Sequence, residues 1–422
     1  MAVGQAEDDP ERQNRLLDGL MRRAEESQSI QSAQSLHESR QLWLLAAACI
    51  AEPGMVDPER VERIRQETHE FLPPRTTYEA EAAAKAGHFV LDLLAELAVR
   101  EHLDGEQAAA TIHTASLVAV DDPISVGLFR RFRKRTEEQI TPALISAWHK
   151  AADPSAFADQ VLADADLSHG PVGINDPELI RWLFKLRNLT NLTINLPSGH
   201  RLDLESLSGM EKIRTLSVGG PLNLELAPLT TLPNLGVLRI SSATSLDFAR
   251  LSQLTHLTWL GLSQMKSVSL GPLAELRELA TLSLNNIDTL DLSPLRHQSS
   301  ITSLVLESLD SLDVTPIAAM RGLSTLRLTN VTNTWLPSLG EAGQIVDLRL
   351  SHVDTGPNIL PDLTFVSRMA NLSSLSLRGM PGIDLSPLAK APQNLQLLLF
   401  NMPNVSVQAL SRRKDITIRR HY

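Results

Sequence analysis

The chain has one cysteine, Cys49, in 422 residues. No internal disulfide and no cysteine-based zinc cluster can form, which fits a reducing cytoplasm. Aromatic residues make up only 4% of the chain, so any large core must be aliphatic. No Gly-Lys pair occurs anywhere. That excludes the phosphate-binding loop G-x-x-x-x-G-K-[S/T], whose amides and lysine surround nucleotide phosphates. The histidines are scattered, without H-E-x-x-H or a comparable ligand spacing, and no metal, cofactor or catalytic site is assigned. Long apolar runs are missing too. Leu42 to Ile50, the longest near the N-terminus, is too short to span a bilayer and lacks a signal-peptide layout. A net charge of −10 and a pI near 5.7 argue against nucleic acid as the principal partner. The expectation is an intracellular protein with no membrane partner.

What the chain does have is one short pattern, L-x-x-L-x-L, repeated through its second half. It reads Leu189-Leu192-Ile194, Ile213-Leu216-Val218, Leu235-Leu238-Ile240, Leu257-Leu260-Leu262 and Leu279-Leu282-Leu284. It continues as Ile301-Leu304-Leu306, Leu323-Leu326-Leu328, Ile345-Leu348-Leu350, Leu372-Leu375-Leu377 and Leu395-Leu398-Phe400. The middle positions differ by 24, then by 22 six times, then by 27 and 23. A fixed period of this size with this pattern is the signature of leucine-rich repeats.

Each repeat predicts a short strand with Leu side chains inward and the x residues outward. The second half of a repeat often reads D-L-S-P-L, as in Asp291 to Leu295 and Asp384 to Leu388. Ser or Thr before Pro suits the start of a helical turn, with the hydroxyl as cap. Strands stacked about 4.8 Å apart give an arc of roughly 45 Å over ten turns. Each inward Leu contributes roughly 1.5–3 kcal/mol of burial once its neighbours are present. Many such repeats carry Asn three residues after the last strand Leu. Here those positions are Pro197, Pro221, Ala243, Met265, Ile287, Leu309, Val331, Val353, Met380 and Pro403. An asparagine ladder is therefore missing, and the backbone it would serve must be satisfied otherwise.

The first half reads as helical. Pro10 opens a polar helix, and Arg40 to Ala51 forms an apolar one. Asp57-Pro58 caps Glu59 to Phe71 and Pro73-Pro74 stops it; Tyr78 to Lys85 ends at Gly87. Further helices are expected near 89–100, 106–118, 123–135, 138–150 and 155–164, although Glu106 to Ile112 has no clear apolar face. Gly170, Pro171 and Gly173 mark a joint. The expected fold is α/β: an α-helical domain over 1–175, then a right-handed leucine-rich repeat solenoid over 176–422. The solenoid would have about ten repeats and a concave parallel sheet.

The helical blocks also carry a resemblance. Leu42–Glu52, Phe71–Thr76, Ala82–Gly87, Val90–Leu94, Ser146–Leu167 and Ile174–Ile180 lead into the first repeat. Together with the repeats they resemble the C-terminal half of actinobacterial STAND proteins with a NACHT ATPase core, which are similar to NLR-type immune receptors. The resemblance implies that the repeats sense a protein ligand, such as a phage product, in bacterial antiphage defence. It also implies a nucleotide-binding module, which would have to come from a NACHT ATPase half in cis or in trans.

Several residues are candidates for that contact on the concave face: Arg239, Trp259, Glu307, Arg327, Asp347, Arg349 and Arg378. Arg327 and Arg349 lie about 5 Å apart on adjacent strands. Either an anionic ligand or Asp347 and Glu307 must relieve their repulsion. Trp259 is either an interface anchor or a ring packed beneath a neighbour. The run Arg130 to Arg135 reads as a solvated helix end above buried Phe129 and Phe132, and Arg412 to Arg420 as the polar cap of a solenoid. Two rival readings remain. One is a leucine-rich-repeat enzyme of ubiquitin-ligase type using Cys49, although no His lies near it in sequence and burial would raise its thiol pKa. The other is a scaffold or decoy that docks onto a separate ATPase.

Overall fold

Aspartate and proline punctuate the first half of the chain, and several of its helices start where they stand. The computed structural model describes residues 10–30, 32–50, 56–332, 334–354, 361–380 and 382–421. It divides into two compact units, Met1–Asn191 and Leu192–Tyr422. In the first unit the helices are α1 (Pro10–Ser29), α2 (Ala33–Ala48), α3 (Pro58–His69), α4 (Thr77–Ala84) and α5 (His88–Arg100). They continue as α6 (Gly105–Ala119), α7 (Pro123–Phe132), α8 (Ile140–Trp148), α9 (Pro154–Phe157) and α10 (Pro177–Ile180). Asp57, Asp122, Asp153 and Asp176 cap the four helices that begin with proline, where a missing N–H costs nothing.

Two elements differ from the sequence expectation. Helix α2 starts at Ala33 rather than Arg40, because Ser32 and Ser35 form a reciprocal capping box. Helix α6 has no single apolar face because it is buried around most of its girth. Ala108, Thr111, Ile112, Thr114 and Ala115 have no exposed surface, and α4, α5, α7 and α8 pack around it. Trp43, Phe129 and Trp148 complete the core.

The second unit holds the repeats. Its strands are β2 (Asn191–Leu202), β3 (Thr215–Leu224), β4 (Val237–Ser241), β5 (Ser245–Leu246), β6 (Trp259–Val268) and β7 (Thr281–Leu290). After them come β8 (Ser303–Glu307), β9 (Thr325–Thr329), β10 (Asp347–Ser351), β11 (Ser374–Arg378), β12 (Gln396–Phe400) and β13 (Thr417–His421); β1 (Val172–Ile174) lies in the first unit. From β3 to β13 the strands pair in parallel in chain order, and β5 pairs with β3 off that path. Leu238, Leu260, Leu282, Leu304, Leu326, Leu348 and Leu375 fall in one register, and each is fully buried. This is the leucine-rich repeat solenoid the period predicts.

The last repeat corrects the sequence reading. Leu397 and Leu399, not Leu398 and Phe400, pair with Leu375 and Leu377 and are buried. Leu395 lies two residues before Leu397, where Leu372 lies three before Leu375, and Leu375 to Leu397 is a spacing of 22. A one-residue slip exchanges the two faces, and Leu398 and Phe400 therefore point outward. The basic C-terminus is also more than a cap: β13 adds a further strand in register with β12.

The missing asparagine ladder has a backbone replacement. In the repeats from β3 to β12 the residue four beyond the central inward Leu takes a left-handed conformation: Gly220, Ser242, Gln264, Asn286, Ser308, Asn330, His352, Gly379 and Asn401. Its N–H can then reach the end of the next strand. Ser308 donates to Thr329 O at 2.9 Å, Asn330 to Ser351 O at 2.9 Å and His352 to Arg378 O at 3.0 Å. With that hydrogen bond made, the next position is left to apolar packing, and Ala243, Met265, Ile287, Leu309, Val331, Val353 and Met380 are all buried there.

Short 3-10 turns return the chain. Their caps also differ from expectation. Asp291, Asp313 and Asp384 accept the N–H of Ser293, Thr315 and Ser386 at 2.8, 2.9 and 2.8 Å, while no hydroxyl caps the turn. A carboxylate two residues upstream offers the stronger acceptor.

Candidate functional site

Alternation along the strands leaves three outward columns on the sheet, and most of their residues are small and hydroxylic. From β7 to β8 the face reads Thr281, Ser283 and Asn285, then Ser303, Val305 and Glu307, all half-buried. Charge and rings are concentrated on either side of this strip.

On one side stand Arg239 and Trp259. Arg239 pairs with Gly261 across β4 and β6, and its guanidinium sits 4.4 Å from the Trp259 ring centroid. The indole lies flat over Gly261: a Cβ there would overlap its Cη2 and Cζ3 atoms. Trp259 is thus half-buried on its own strand, roofed by a cation, an attraction that strengthens as the pair is desolvated. Glycine at 261 permits this pose.

On the other side are the arginines of the later strands. Arg327 and Arg349 are in-register partners on β9 and β10. Asp347 binds Arg349 through Oδ2, with Nε at 2.9 Å and the terminal nitrogen at 2.7 Å. The Asp347 Oδ1 atom is buried and has no hydrogen-bond partner among the described residues. Glu307 accepts a hydrogen bond from Asn285 Nδ2 at 3.5 Å and pairs with no arginine among the described residues. Of the two carboxylates expected to relieve the arginine pair, only Asp347 engages an arginine, and that one is Arg349. Arg327 is exposed.

Arg378 stacks over Phe400, 5.1 Å from its centroid. Phe400 stacks in turn on His421 at 4.6 Å and 12°. The three residues are in-register neighbours on β11, β12 and β13. Sequence reasoning missed Leu398, Phe400, Arg419 and His421 as outward residues. The signals were present in the alternation Leu395-Leu397-Leu399 and in Ile416-Thr417-Ile418.

Other candidates settle away from this face. Cys49 ends α2 half-buried, and burial pushes its thiol pKa up, the opposite of what a nucleophile needs. Arg130 and Arg133 donate to Gln160 O at 3.1 and 2.9 Å, and Arg135 donates to Leu103 O at 2.7 Å. Arg130, Arg131 and Lys134 are exposed, as expected of a solvated helix end, with Phe129 and Phe132 buried beneath; the carbonyl contacts of Arg130, Arg133 and Arg135 are an addition to that reading. Arg413 likewise holds Ala389 O and Ala391 O at 2.8 and 3.0 Å. No group of three His, Cys, Asp or Glu able to hold a metal occurs among the described residues, and no described helix is long and apolar enough to cross a membrane.

No family model and no curated protein matches the chain. Among solved structures it is similar to an internalin (inlF) from Listeria monocytogenes, at 18% identity and a TM-score of 0.47, covering 75% of this chain and 93% of that one. It is also similar to an internalin C2 from the same species, at 21% identity and a TM-score of 0.33, covering 56% and 91%. A third is the plant peptide hormone receptor RGFR1 in complex with RGF2, at 15% identity and a TM-score of 0.38, covering 63% and 49%. At these values the likeness carries no residue role and no partner across.

Proposed function

We propose that the repeats form a non-catalytic module that recognises a protein ligand on the outward, concave face of the sheet, through Arg239, Trp259, Glu307, Arg327, Asp347, Arg349 and Arg378. One observation carries the reading. Arg327 and Arg349 are held in register on adjacent strands, and the one carboxylate at hand is engaged by Arg349 alone. Like charges about 5 Å apart are costly unless an anionic partner relieves them. The helical blocks quoted above extend this reading to an NLR-like, cytoplasmic defence or signalling protein. Its helical domain, residues 1–175, would serve a NACHT ATPase half supplied in cis or in trans.

Partner capture from phage-infected and uninfected actinobacterial lysates tests this. A protein held by the wild-type chain and lost by Arg327→Glu/Arg349→Glu supports recognition on this face. Equal capture by both baits overturns it.

A further inference from the structure

Beyond β8 the sheet face changes character. Its middle column reads Arg327, Arg349, Ser376, Leu398 and Arg419 across β9 to β13, and the next column reads Thr329, Ser351, Arg378, Phe400 and His421. Four arginines face outward there against one carboxylate, Asp347, and that carboxylate is engaged by Arg349. The patch is therefore net +3 (four minus one) on a chain whose total is −10. Beside the guanidinium groups lies an apolar spot: Leu398 and Phe400 are half-buried, two residues apart on β12, and Phe400 is flanked by Arg378 and His421.

We infer that β9 to β13 take an extended acidic segment of a partner protein, one that carries an aromatic side chain. The inference rests on the reading of this face as the ligand surface and adds the chemistry of the ligand. Four strand spacings cover about 19 Å, the length of about six extended residues. A segment laid across the strands can place carboxylates at Arg327, Arg349 and Arg419 while its ring joins the Arg378–Phe400–His421 stack. Carboxylate–guanidinium pairs can be bidentate, which sets register as well as affinity. In the middle column two neutral positions, Ser376 and Leu398, separate the Arg327–Arg349 pair from Arg419, and such uneven spacing fits scattered carboxylates better than a continuous phosphate backbone. The surrounding negative charge of the chain disfavours a polyanion further.

The test uses the full chain and fluorescence anisotropy. The probe is a labelled synthetic peptide of about ten residues that alternates Glu and Ser around one Phe. Controls replace every Glu by Gln, or the Phe by Ala, and a labelled oligothymidylate serves as the phosphate polymer. The acidic peptide is expected to bind about tenfold tighter than its Gln counterpart, and Arg327→Glu/Arg349→Glu is expected to remove that advantage. Phe400→Ala should weaken the Phe peptide severalfold and leave the Ala peptide unchanged. All of these positions face outward, so far-UV circular dichroism should be unaltered in each variant. Equal binding of the Glu and Gln peptides overturns the inference, as does tighter binding of the oligonucleotide. Loss in Arg239→Glu/Trp259→Ala, with no loss in Arg327→Glu/Arg349→Glu, overturns it as well. In each of those cases, a captured protein still lost by Arg327→Glu/Arg349→Glu would keep the face as the ligand surface. A captured protein retained by that variant removes the underlying reading itself.

Discussion

The two units of this protein treat arginine in opposite ways. In the helical unit several guanidinium groups are tied down between elements. Arg40 joins α2 to Glu79 of α4 at 3.0 Å, donates to Phe71 O at 3.1 Å and stacks on the Phe71 ring. Arg60 grips Asp18 and Asp57 at 2.8 and 2.7 Å, and Arg65 pairs with Glu96. On the sheet face, Arg239 and Arg378 rest on rings, and Arg327 has no ion pair or hydrogen bond among the described residues. Helix ends and interhelical seams supply carboxylates and carbonyls to these three cations. A parallel sheet satisfies its own carbonyls within the ladder and leaves outward side chains only one another. In the first unit charge orients helices; on the sheet it stays available.

The contrast can be broken first at the cores. Leu304→Ala and Ile112→Ala should each cost about 2–5 kcal/mol, but the losses should spread differently. Solenoid repeats contact mainly their neighbours. Amide hydrogen exchange in Leu304→Ala is thus expected to rise most in the flanking repeats and to fade with distance. In Ile112→Ala protection should fall together across α4 to α8. A uniform loss over all repeats would contradict this account.

The arginines give the next largest difference. The Arg40 and Glu79 side chains are 21% and 29% exposed, and Arg40→Ala should destabilise by about 1–2 kcal/mol, since the half-buried Glu79 carboxylate loses a charged hydrogen-bond partner. Arg327→Ala should stay within about 0.5 kcal/mol of wild type. Chemical denaturation followed by circular dichroism compares the two directly. A large loss at Arg327 would show it to be structural.

At Gly261 the expected effect is about 1 kcal/mol, because an added methyl displaces a ring rather than backbone. The sharper readout of Gly261→Ala is the Trp259 emission, measured as the difference from a Trp259→Phe background. An unchanged difference spectrum would mean that the indole does not lie over this glycine.

The smallest effect is set by pH. Hydrogen bonds from Ser293, Thr315 and Ser386 hold the carboxyls of Asp291, Asp313 and Asp384 below the ordinary aspartate value. A folded value below the unfolded one, near 3.9, gives stability that is present above about pH 4. That stability is lost as pH falls through the folded value. The triple change Asp291→Asn/Asp313→Asn/Asp384→Asn should therefore flatten the acid limb of the urea midpoint below about pH 4. It should leave the helical unit's acid response, set by groups such as Glu79 and Glu96, in place. For Glu79 burial is the largest single effect and raises the value, but the bonds from Arg75, Arg40 and Thr76 together bring it below the ordinary one; for Glu96 the bond from Arg65 comes first and lowers it.

How legible all this was in the residues depends on how local each cause is. The 22-residue period, the Asp-Pro helix starts and the inward Leu columns were readable directly. Each rests on backbone geometry and on apolar spacing within a few residues. The same reading placed Arg327, Arg349, Arg378 and Trp259 on outward columns, as strand alternation requires. It failed at Leu395 to Phe400, where a run of three leucines supports either register and only pairing with Leu375 and Leu377 selects one. Tertiary structure alone decided that Asp347 serves Arg349, that Gly261 lets Trp259 lie flat, and that Phe400 completes a stack with Arg378 and His421. The stack joins side chains about one repeat apart, whose meeting follows from strand stacking; the other two join residues two apart on one strand, where alternation sets the shared face but only the packed rotamers decide the contact.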